Sequence, residues 1–330
     1  MSALGDWPLF DADESFDEAQ PSLIAAGLSD GLPLVPPTST RLAAMLHGSE
    51  KPEQSLGQMP PLFGDLTPTA VAYNCVLAGC TPDDMPIVLA ATNACRDDAF
   101  NLLGLATTTG SPAIATVVHG PIAQKIGLNS GINCLGPGNR ANATIGRAIS
   151  LVLRNVAGMR SEAGDMATIG QPGKYGFCFA EAQTSPFTTV HVSQGLNAED
   201  NAVTVLGVSG TIEVLPSQSD GNWDRPEAIL DPVATVMRAA WIGGGGMHKD
   251  ERGDQVLLLP PELATLLSTR KWKLDQVKKY IYEKSAELGK SPIAAGPGNI
   301  HVIVTGGPGT KMTVLPLWGG GTRAVTRKIA

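Results

Sequence analysis

The chain has 330 residues, of which 43% are hydrophobic and 17% are charged, so it is a globular protein of one large or two ordinary domains. Its net charge of −7 and pI near 5.3, without any run of lysines or arginines, argue against a nucleic-acid partner. No stretch approaches the roughly eighteen consecutive apolar residues of a membrane span, and the acidic amino-terminal segment lacks a signal-peptide pattern. We therefore expect a cytoplasmic protein without a membrane partner.

The cysteine content also fits a reducing compartment. The chain has five cysteines, an odd number without a C-x-x-C pair, which is unlike a disulfide framework. The spacing C-x4-C-x14-C of the first three is not a standard zinc or iron–sulfur spacing. The cysteines are Cys75, Cys80, Cys95, Cys134 and Cys178. The sequence therefore predicts free thiols rather than disulfides or a cysteine-bound metal.

The first part of the chain is predicted to be an acidic arm followed by helices. We expect residues 1–29 to form the arm and to fold onto a neighbouring subunit. Three prolines hold residues 30–38 extended before a short helix at 41–46. Two further helices begin at Thr-Pro pairs, where Thr67 and Thr81 cap free N–H groups and proline takes the first helical position.

The middle of the chain is predicted to be rich in strands. Residues 111–121 are an apolar, β-branched run between Ser-Pro and Gly-Pro, which is typical of a buried strand ending at His119. Further β-like runs cover 177–182, 188–193 and 202–210. The polar, turn-rich segment 217–227 then predicts a linker.

The last third of the chain alternates between helices and strands. Its predicted elements are a helix at 228–241, a strand at 256–259, helices at 262–267 and 274–288, and a strand at 300–305. Strands separated by helices indicate an α/β fold, and the strand-rich middle indicates mixed sheet layers. The pattern allows two subdomains, a main α/β domain at 30–216 and a C-terminal α/β subdomain at 228–330.

A helix that begins beside an arginine is the first candidate for a binding site. The segment GPGNRANATIGR (136–147) leads into helical apolar spacing, with Asn139 as the N-cap. Arg140, Arg147 and Arg154 are seven residues apart and lie along one stripe. Guanidinium groups beside the free N–H groups of a helix start favour a carboxylate or phosphate ligand. The alternative is that these arginines pair with internal acids or cross a subunit interface.

The predicted anion site extends over the polar residues around this helix start. We expect a small anionic substrate, because the loop before the helix is rich in asparagine as well. The predicted substrate-binding residues are Asn133, Gly138, Asn139, Arg140, Asn142, Thr144 and Arg147.

Two glycine-rich stretches are excluded as nucleotide sites. GPGNRA fits a loose G-x-G-x-x-A pattern, but neither a hydrophobic strand before it nor an acid after a second strand is present. TGGPGTKMT (305–313) lacks P-loop spacing and stays a strand followed by a loop, with Lys311 as a weak anion-binding candidate. We predict no nucleotide cofactor, and a divalent metal is left as an open alternative.

The catalytic candidates come from the strand-rich middle of the chain. His119 lies at a strand end, where open α/β sheets place ligands. Cys178 is expected to be a buried structural thiol; beside Glu181 or His191 it becomes a nucleophile or a metal ligand instead. His119, Glu181 and His191 can also form a metal site, although no spacing signature marks one.

A second glycine-rich loop is a candidate lid. GGGGMHKDER carries His248 and Lys249 after four glycines, which permit movement over a site. The alternative is an ordinary hairpin tip.

Several stretches of the chain resemble a family of bacterial proteins. They are DGLPLVPPT with the following RLAAML, LNSGINCLGPGNRANATIGRAISLVLRN, IGQPGKYGFCFAEA, and GPGNIHVIVTGGPG with TRAVTRKI, and the resemblance spans nearly the whole chain. The family is associated with a small companion protein bearing a Cys-Gly-Ser-Cys or selenocysteine-Gly-Ser-Cys motif, which implies a two-component or redox-linked enzyme. This chain lacks that motif, so such chemistry would need the companion, and the family supplies no catalytic residues to carry over.

The sequence supports three functional hypotheses. The first is an enzyme of small-molecule metabolism, of the lyase or hydrolase type, that acts on a carboxylate-bearing substrate by acid/base or cysteine-nucleophile chemistry. The second is a metal-dependent hydratase or lyase with a histidine, glutamate and cysteine site. The third is a non-catalytic or redox-linked subunit of a two-component enzyme. A homo-oligomer is expected, because the arm and the proline-rich segment suit contact with another subunit.

Overall fold

A computed structural model describes residues 5–217, 222–243, 253–289 and 291–330, and it has the predicted α/β fold with mixed sheets. Within these residues the strands form two four-stranded sheets and one two-stranded ribbon, and helices pack against both larger sheets. In the described segments, no helix is both long enough and apolar enough to cross a bilayer.

The helices and strands begin and end as follows. The α-helices are α1 (Phe16–Ala25), α2 (Ser39–Met45), α3 (Pro68–Ala78), α4 (Met85–Ala94), α5 (Leu102–Thr107), α6 (Pro121–Lys125), α7 (Arg140–Asn155), α8 (Val190–Ser193), α9 (Pro226–Gly243), α10 (Pro261–Thr269) and α11 (Leu274–Gly289). The strands are β1 (Gln58–Met59), β2 (Gly64–Asp65), β3 (Ala113–His119), β4 (Cys178–Ala180), β5 (Ala202–Val208), β6 (Ile212–Val214), β7 (Gln255–Leu259), β8 (Ile300–Val304), β9 (Met312–Leu315) and β10 (Val325–Lys328). Single 3-10 turns lie at Pro82–Asp84, Asp98–Phe100, Pro172–Lys174 and Pro297–Asn299.

The first sheet has the strand order β10-β5-β3-β4 and is built around two fully buried strands. Every residue of β3 and β5 is buried, as expected for continuous apolar, β-branched runs. β3 pairs with β5 antiparallel and with β4 parallel, in the register Val117↔Phe179. Because parallel strands end at the same edge of a sheet, His119 at the end of β3 lies beside the residues that follow β4.

The second sheet has the order β6-β9-β7-β8 and shares a hydrophobic core with the first. One buried cluster joins both sheets, with Val117 and Phe179 on one side and Val256 and Ile303 on the other. The predicted domain boundary does not separate the sheets: β6 precedes it but joins the second sheet, and β10 follows it but completes the first.

Helix α7 begins where the sequence predicts and packs closely against the chain that enters β4. The Asn139 side chain accepts the N–H of Asn142 (2.9 Å), so Asn139 is the predicted N-cap. A Cβ atom on Gly146 would lie 2.7 Å from the backbone nitrogen of Phe177. The absence of a side chain at Gly146 therefore lets α7 contact the strand that leads to Glu181.

The acidic arm packs against its own chain. Helix α1 buries Ala19 and Leu23 in the main hydrophobic core. The Tyr73 hydroxyl donates to the carbonyl of Pro8 (2.5 Å) and fixes the start of the arm. Ala19 and Leu23 are thus buried within the same chain, whereas Phe16 and Ile24 of α1 are exposed, so contact of the arm with a neighbouring subunit stays a prediction. The homo-oligomer itself stays a prediction.

One predicted strand is a helix. Residues 188–193 contain the short helix α8, and the Val190 N–H at its start donates to the Glu181 carboxylate (3.0 Å). The alternation in TTVHVS suits a strand, but the bond to a buried carboxylate fixes a helical turn instead. Strands β6, β9 and β10 are not predicted by the pattern, because they are short and partly exposed.

We expect Gly146→Ala to destabilise the protein, although alanine is normally better than glycine in a helix by about 1 kcal/mol. The added methyl group would meet backbone at 2.7 Å, and overpacking of this kind costs about 1–3 kcal/mol. Urea denaturation measures the effect. In the control Gly210→Ala the methyl group meets nothing within 4 Å, so the unfolding free energy should change by less than about 0.5 kcal/mol. A Gly146 variant as stable as the parent would contradict the described contact.

Candidate functional site

The carboxyl ends of β3 and β4 bring a histidine and a glutamate into contact. His119 Nδ1 lies 2.7 Å from Glu181 Oε2, and His119 Nε2 lies 2.8 Å from the hydroxyl of Thr204 on β5. The Thr204 hydroxyl lies 2.8 Å from that of Thr326 on β10. His119, Glu181 and Thr204 are all buried. Four neighbouring segments of the first sheet thus form one continuous hydrogen-bonded chain of side chains.

His191 completes the cluster from helix α8. Its ring stacks on that of His119, with the centroids 5.2 Å apart and the planes inclined by 28°. The donor atoms of His119, Glu181 and His191 all lie within 4.8 Å of one another. Both ring nitrogens of His191 are buried, and neither has a hydrogen bond of good geometry among the described residues, although backbone groups of Asn197 and Ala198 lie close to the ring. Because buried polar atoms are normally well paired, the cluster is a candidate binding site.

The surroundings of His191 favour its neutral form. Burial lowers the pKa of His191 below its ordinary value of 6.5, and the neighbouring His119 lowers this pKa further. Glu181 and the backbone groups of Asn197 and Ala198 act in the opposite direction. A neutral imidazole is the form that ligates a metal ion.

The donor set fits a divalent transition-metal ion. Two histidines and one carboxylate are the ligands of many catalytic zinc and iron sites. Bonds of about 2.0–2.1 Å place tetrahedral ligand atoms roughly 3.4 Å apart. Since the present donor atoms lie within 4.8 Å, movements of about 1 Å would bring them to bonding distance. Within the described segments, these three side chains are the one group of this kind.

Cys178 does not take part in this cluster. Its side chain lies in the main core, whereas Phe177 and Phe179 lie in the core between the sheets, so alternate residues face opposite ways. Burial raises the pKa of the Cys178 thiol, and Cys80 and Asp84 raise it further. A thiol in such surroundings stays protonated and is a poor nucleophile. The structure therefore agrees with the interpretation of a buried structural cysteine.

Arg140 at the start of α7 is paired with an acid of its own chain. Its Nη1 donates to Oδ2 of Asp84 (2.6 Å), whose side chain is fully buried just before α4. The N–H and the hydroxyl of Thr81 donate to the same carboxylate oxygen. A buried internal carboxylate thus explains why a cation is accepted beside the positive end of a helix.

Arg147 is paired in the same way. Its Nε and Nη2 each donate to one carboxylate oxygen of Asp30 (2.8 Å each), and Nη2 also donates to the carbonyls of Leu32 and Pro33. Two carboxylates of the chain itself, those of Asp84 and Asp30, therefore bind the arginines at which the sequence predicts a substrate anion. This is the alternative that the sequence left open, and it leaves neither arginine free to bind a substrate.

The predicted binding asparagines shape the loop before α7. The buried Asn142 accepts the N–H of Asn129 and donates to the carbonyls of Asn129 and Cys134, at 2.8–3.0 Å. Asn139 donates to the carbonyl of Gly127 in addition to capping the helix. These amides hold the loop closed, so their role is structural.

The other predicted binding residues are also used within this segment. Thr144 donates to the carbonyl of Arg140, and Asn133 donates to that of Pro137. Gly138 has a φ of +117°, which favours glycine. Among the described residues, no hydrogen bond joins this set to His119, Glu181 or His191.

Two further predictions concern glycine-rich loops. The lid residues His248 and Lys249 lie outside the described residues. Lys311 pairs with Glu213 of β6 at the surface, with Nζ 3.0 Å from Oε1, so an acid of the same chain neutralises this lysine.

Sequence patterns missed one charged side chain near the cluster. Lys278 lies on α11, partly buried, and burial lowers its pKa. Asp275 and Glu181 raise this pKa, which places Lys278 within electrostatic reach of the cluster. A lysine beside the buried Val277 reads as an ordinary surface position of an amphipathic helix. No signal in the sequence distinguishes it from the other lysines of α11.

We expect Arg147→Gln to destabilise the protein by about 3 kcal/mol, because it leaves the largely buried Asp30 carboxylate without its charged partner. Urea denaturation of Arg147→Gln, Asp30→Asn and the double variant measures the coupling of the pair. The exposed pair of Arg270 and Asp224 gives the control, since Arg270→Gln should cost less than about 1 kcal/mol. Equal stability of both arginine variants would show that Arg147 is not held by Asp30.

With the geometry established, the chain can be set beside known proteins. A comparison with protein families finds none that matches this chain, and a comparison with curated proteins finds no match either.

Proposed function

We propose that this chain is a metal-dependent enzyme of the hydratase, lyase or hydrolase type, in which His119, Glu181 and His191 hold a divalent transition-metal ion. The observation that carries the proposal is the convergence of three buried side chains of metal-ligand type at the carboxyl ends of β3 and β4, with donor atoms within 4.8 Å of one another. Ligands of open α/β sheets bind at such strand ends. The proposal follows the second of the hypotheses from the sequence, but without its cysteine and with hydrolysis added as a reaction type.

The surrounding residues would orient the metal ligands. The hydroxyl of Thr204 at His119 Nε2 fixes the plane of the imidazole ring. The N–H of Val190 donates to Glu181 Oε2, which holds the carboxylate beside both histidines. In metal sites, residues that form hydrogen bonds to the ligands fix the tautomer of each histidine and the orientation of each ligand side chain. Three protein ligands leave a coordination position open, which is typical of catalytic sites rather than structural ones.

The expected substrate is a small anion. A bound divalent ion supplies Lewis-acid activation of an oxygen of water or substrate. Lys278 adds a partly buried positive charge within electrostatic reach of Glu181. A carboxylate or phosphate group therefore fits the charges around the cluster.

We expect the untagged protein, incubated with Zn²⁺, Mn²⁺ or Fe²⁺ and desalted, to retain close to one ion per chain of at least one of these metals. The bound metal should raise the melting temperature, since it binds the folded state alone. His191→Gln and Glu181→Gln should each lower metal affinity at least about tenfold, because each removes a ligand. Elemental analysis and thermal unfolding give both quantities.

The exposed His47 supplies the control for this experiment. His47→Gln should retain as much metal as the parent, because it lies outside the cluster. The proposal fails if the parent binds none of the three metals tightly, or if the His191 and His47 variants retain equal amounts.

A second candidate is metal-free acid/base chemistry. The order Thr204 hydroxyl, His119 and Glu181 is that of a nucleophile, its base and the acid that orients the base, with separations of 2.8 and 2.7 Å. The two candidates differ in the effect of Thr204→Val. If the cluster is a metal site, this variant should retain most of the bound metal. If Thr204 is the nucleophile, the variant should lose turnover, and removal of metal should leave the turnover of the parent unchanged.

A further inference from the structure

One cavity of the described residues lies away from the metal-ligand cluster. Its volume is about 820 Å³, and it opens between the carboxyl-terminal half of α7, the start of β3 and the segment 159–175. Ala113 and Ile114, at the start of β3, line the cavity, whereas His119 is the last residue of the same strand. This size is in the range of small-molecule sites. The cavity is therefore a second place where a ligand fits.

Arg154 brings an unpaired charge to the cavity wall. It lines the cavity, and its buried Nε has no hydrogen-bond partner among the described residues. Nor does Arg154 form an ion pair with any acid in these segments. Asp30, the acid that acts on it electrostatically, is bound bidentately by Arg147. The charge of Arg154 thus remains available.

The guanidinium group of Arg160 lies close enough to that of Arg154 to repel it. Arg160 directly precedes Ser161 of the cavity wall, and its buried Nε also lacks a partner in the described segments. Burial lowers the pKa of Arg154, and the repulsion from Arg160 lowers it further. Two like charges held together in a partly buried place are unfavourable unless an anion compensates them.

The rest of the cavity combines paired charges, one exposed acid and apolar surface, and its lining includes Asp30, which Arg147 binds. Lys174 is neutralised by Asp165, with Nζ 2.7 Å from Oδ1. Glu162 lies at the exposed rim, where water screens its charge. The apolar lining includes Ile114, Leu153, Met159, Met166 and Ile169. Methionine-rich linings adapt to ligands of varied shape.

We propose that this cavity binds a small organic anion, with its carboxylate or phosphate on Arg154 backed by Arg160, and its apolar body against the methionine-lined wall. A guanidinium fork matches both kinds of oxyanion bidentately. The bound anion reduces the repulsion between the two arginines. The apolar part of the ligand covers the apolar lining of the cavity and so shields it from water. This site does not depend on the metal proposal, because no residue of the His119 cluster lines the cavity.

Calorimetric titration of the full chain with hexanoate, hexyl phosphate and hexan-1-ol tests the proposal. We expect saturable binding of at least one of the two anions, and binding of the alcohol at least about tenfold weaker, since it lacks the charge-assisted bonds. Tighter binding of hexyl phosphate than of hexanoate would assign the natural ligand to phosphate esters, and the reverse order to carboxylates. No saturable binding of either anion, or equal binding of the alcohol, would overturn the proposal.

Arginine variants locate the site. Arg154→Gln should weaken anion binding about tenfold or more, and Arg154→Lys should weaken it less, because it keeps the charge but loses the fork. Arg160→Gln should weaken binding without abolishing it. Arg270→Gln and Glu181→Gln should bind the anion as the parent does, the latter even where metal binding is lost. If Arg154→Gln does not fold, equal affinities of Arg154→Lys, Arg160→Gln and the parent would refute the assignment.

Discussion

The parallel pairing of β3 with β4 determines where the polar groups of this protein meet. Both strands end at one edge of the first sheet, so His119 and Glu181, which are 62 residues apart in the chain, come within 2.7 Å. The pairing is held from outside by α7, whose Gly146 permits contact with the chain entering β4. Helix α8 then starts on the Glu181 carboxylate and carries His191 into the cluster. Each step depends on the previous one.

Sequence analysis offered His119, Glu181 and His191 as one possible metal site, but no pattern in the sequence shows that the three residues meet. The buried run ending at His119 and the Asn139 cap are local features, and both are present. Glu181 and His191 were candidates by residue type alone, because proximity depends on the pairing of distant strands. The helical turn of α8 depends on a tertiary bond to Glu181, so the local alternation predicts a strand there instead.

The arginines of α7 are a second case in which the sequence does not show which residues come into contact. Their spacing is visible in the sequence, but the partners of Arg140 and Arg147 lie 56 and 117 residues away, at Asp84 and Asp30. A partnered guanidinium group stabilises the fold, whereas an unpartnered one favours a ligand, and only the folded chain distinguishes them. The seven-residue stripe was thus misleading at Arg140 and Arg147, whereas at Arg154, which has no ion pair among the described residues, an anion stays a proposal.

The last strand of the chain, β10, completes the first sheet and is synthesised much later than the other strands of that sheet. β10 pairs with β5, and the hydroxyls of Thr204 and Thr326 that join them are separated by 122 residues. During synthesis on the ribosome, β5 therefore emerges long before the strand that covers its edge. An uncovered edge strand recruits other chains and promotes aggregation. The edge of β5 in this protein accordingly stays unpaired until β10 has been synthesised.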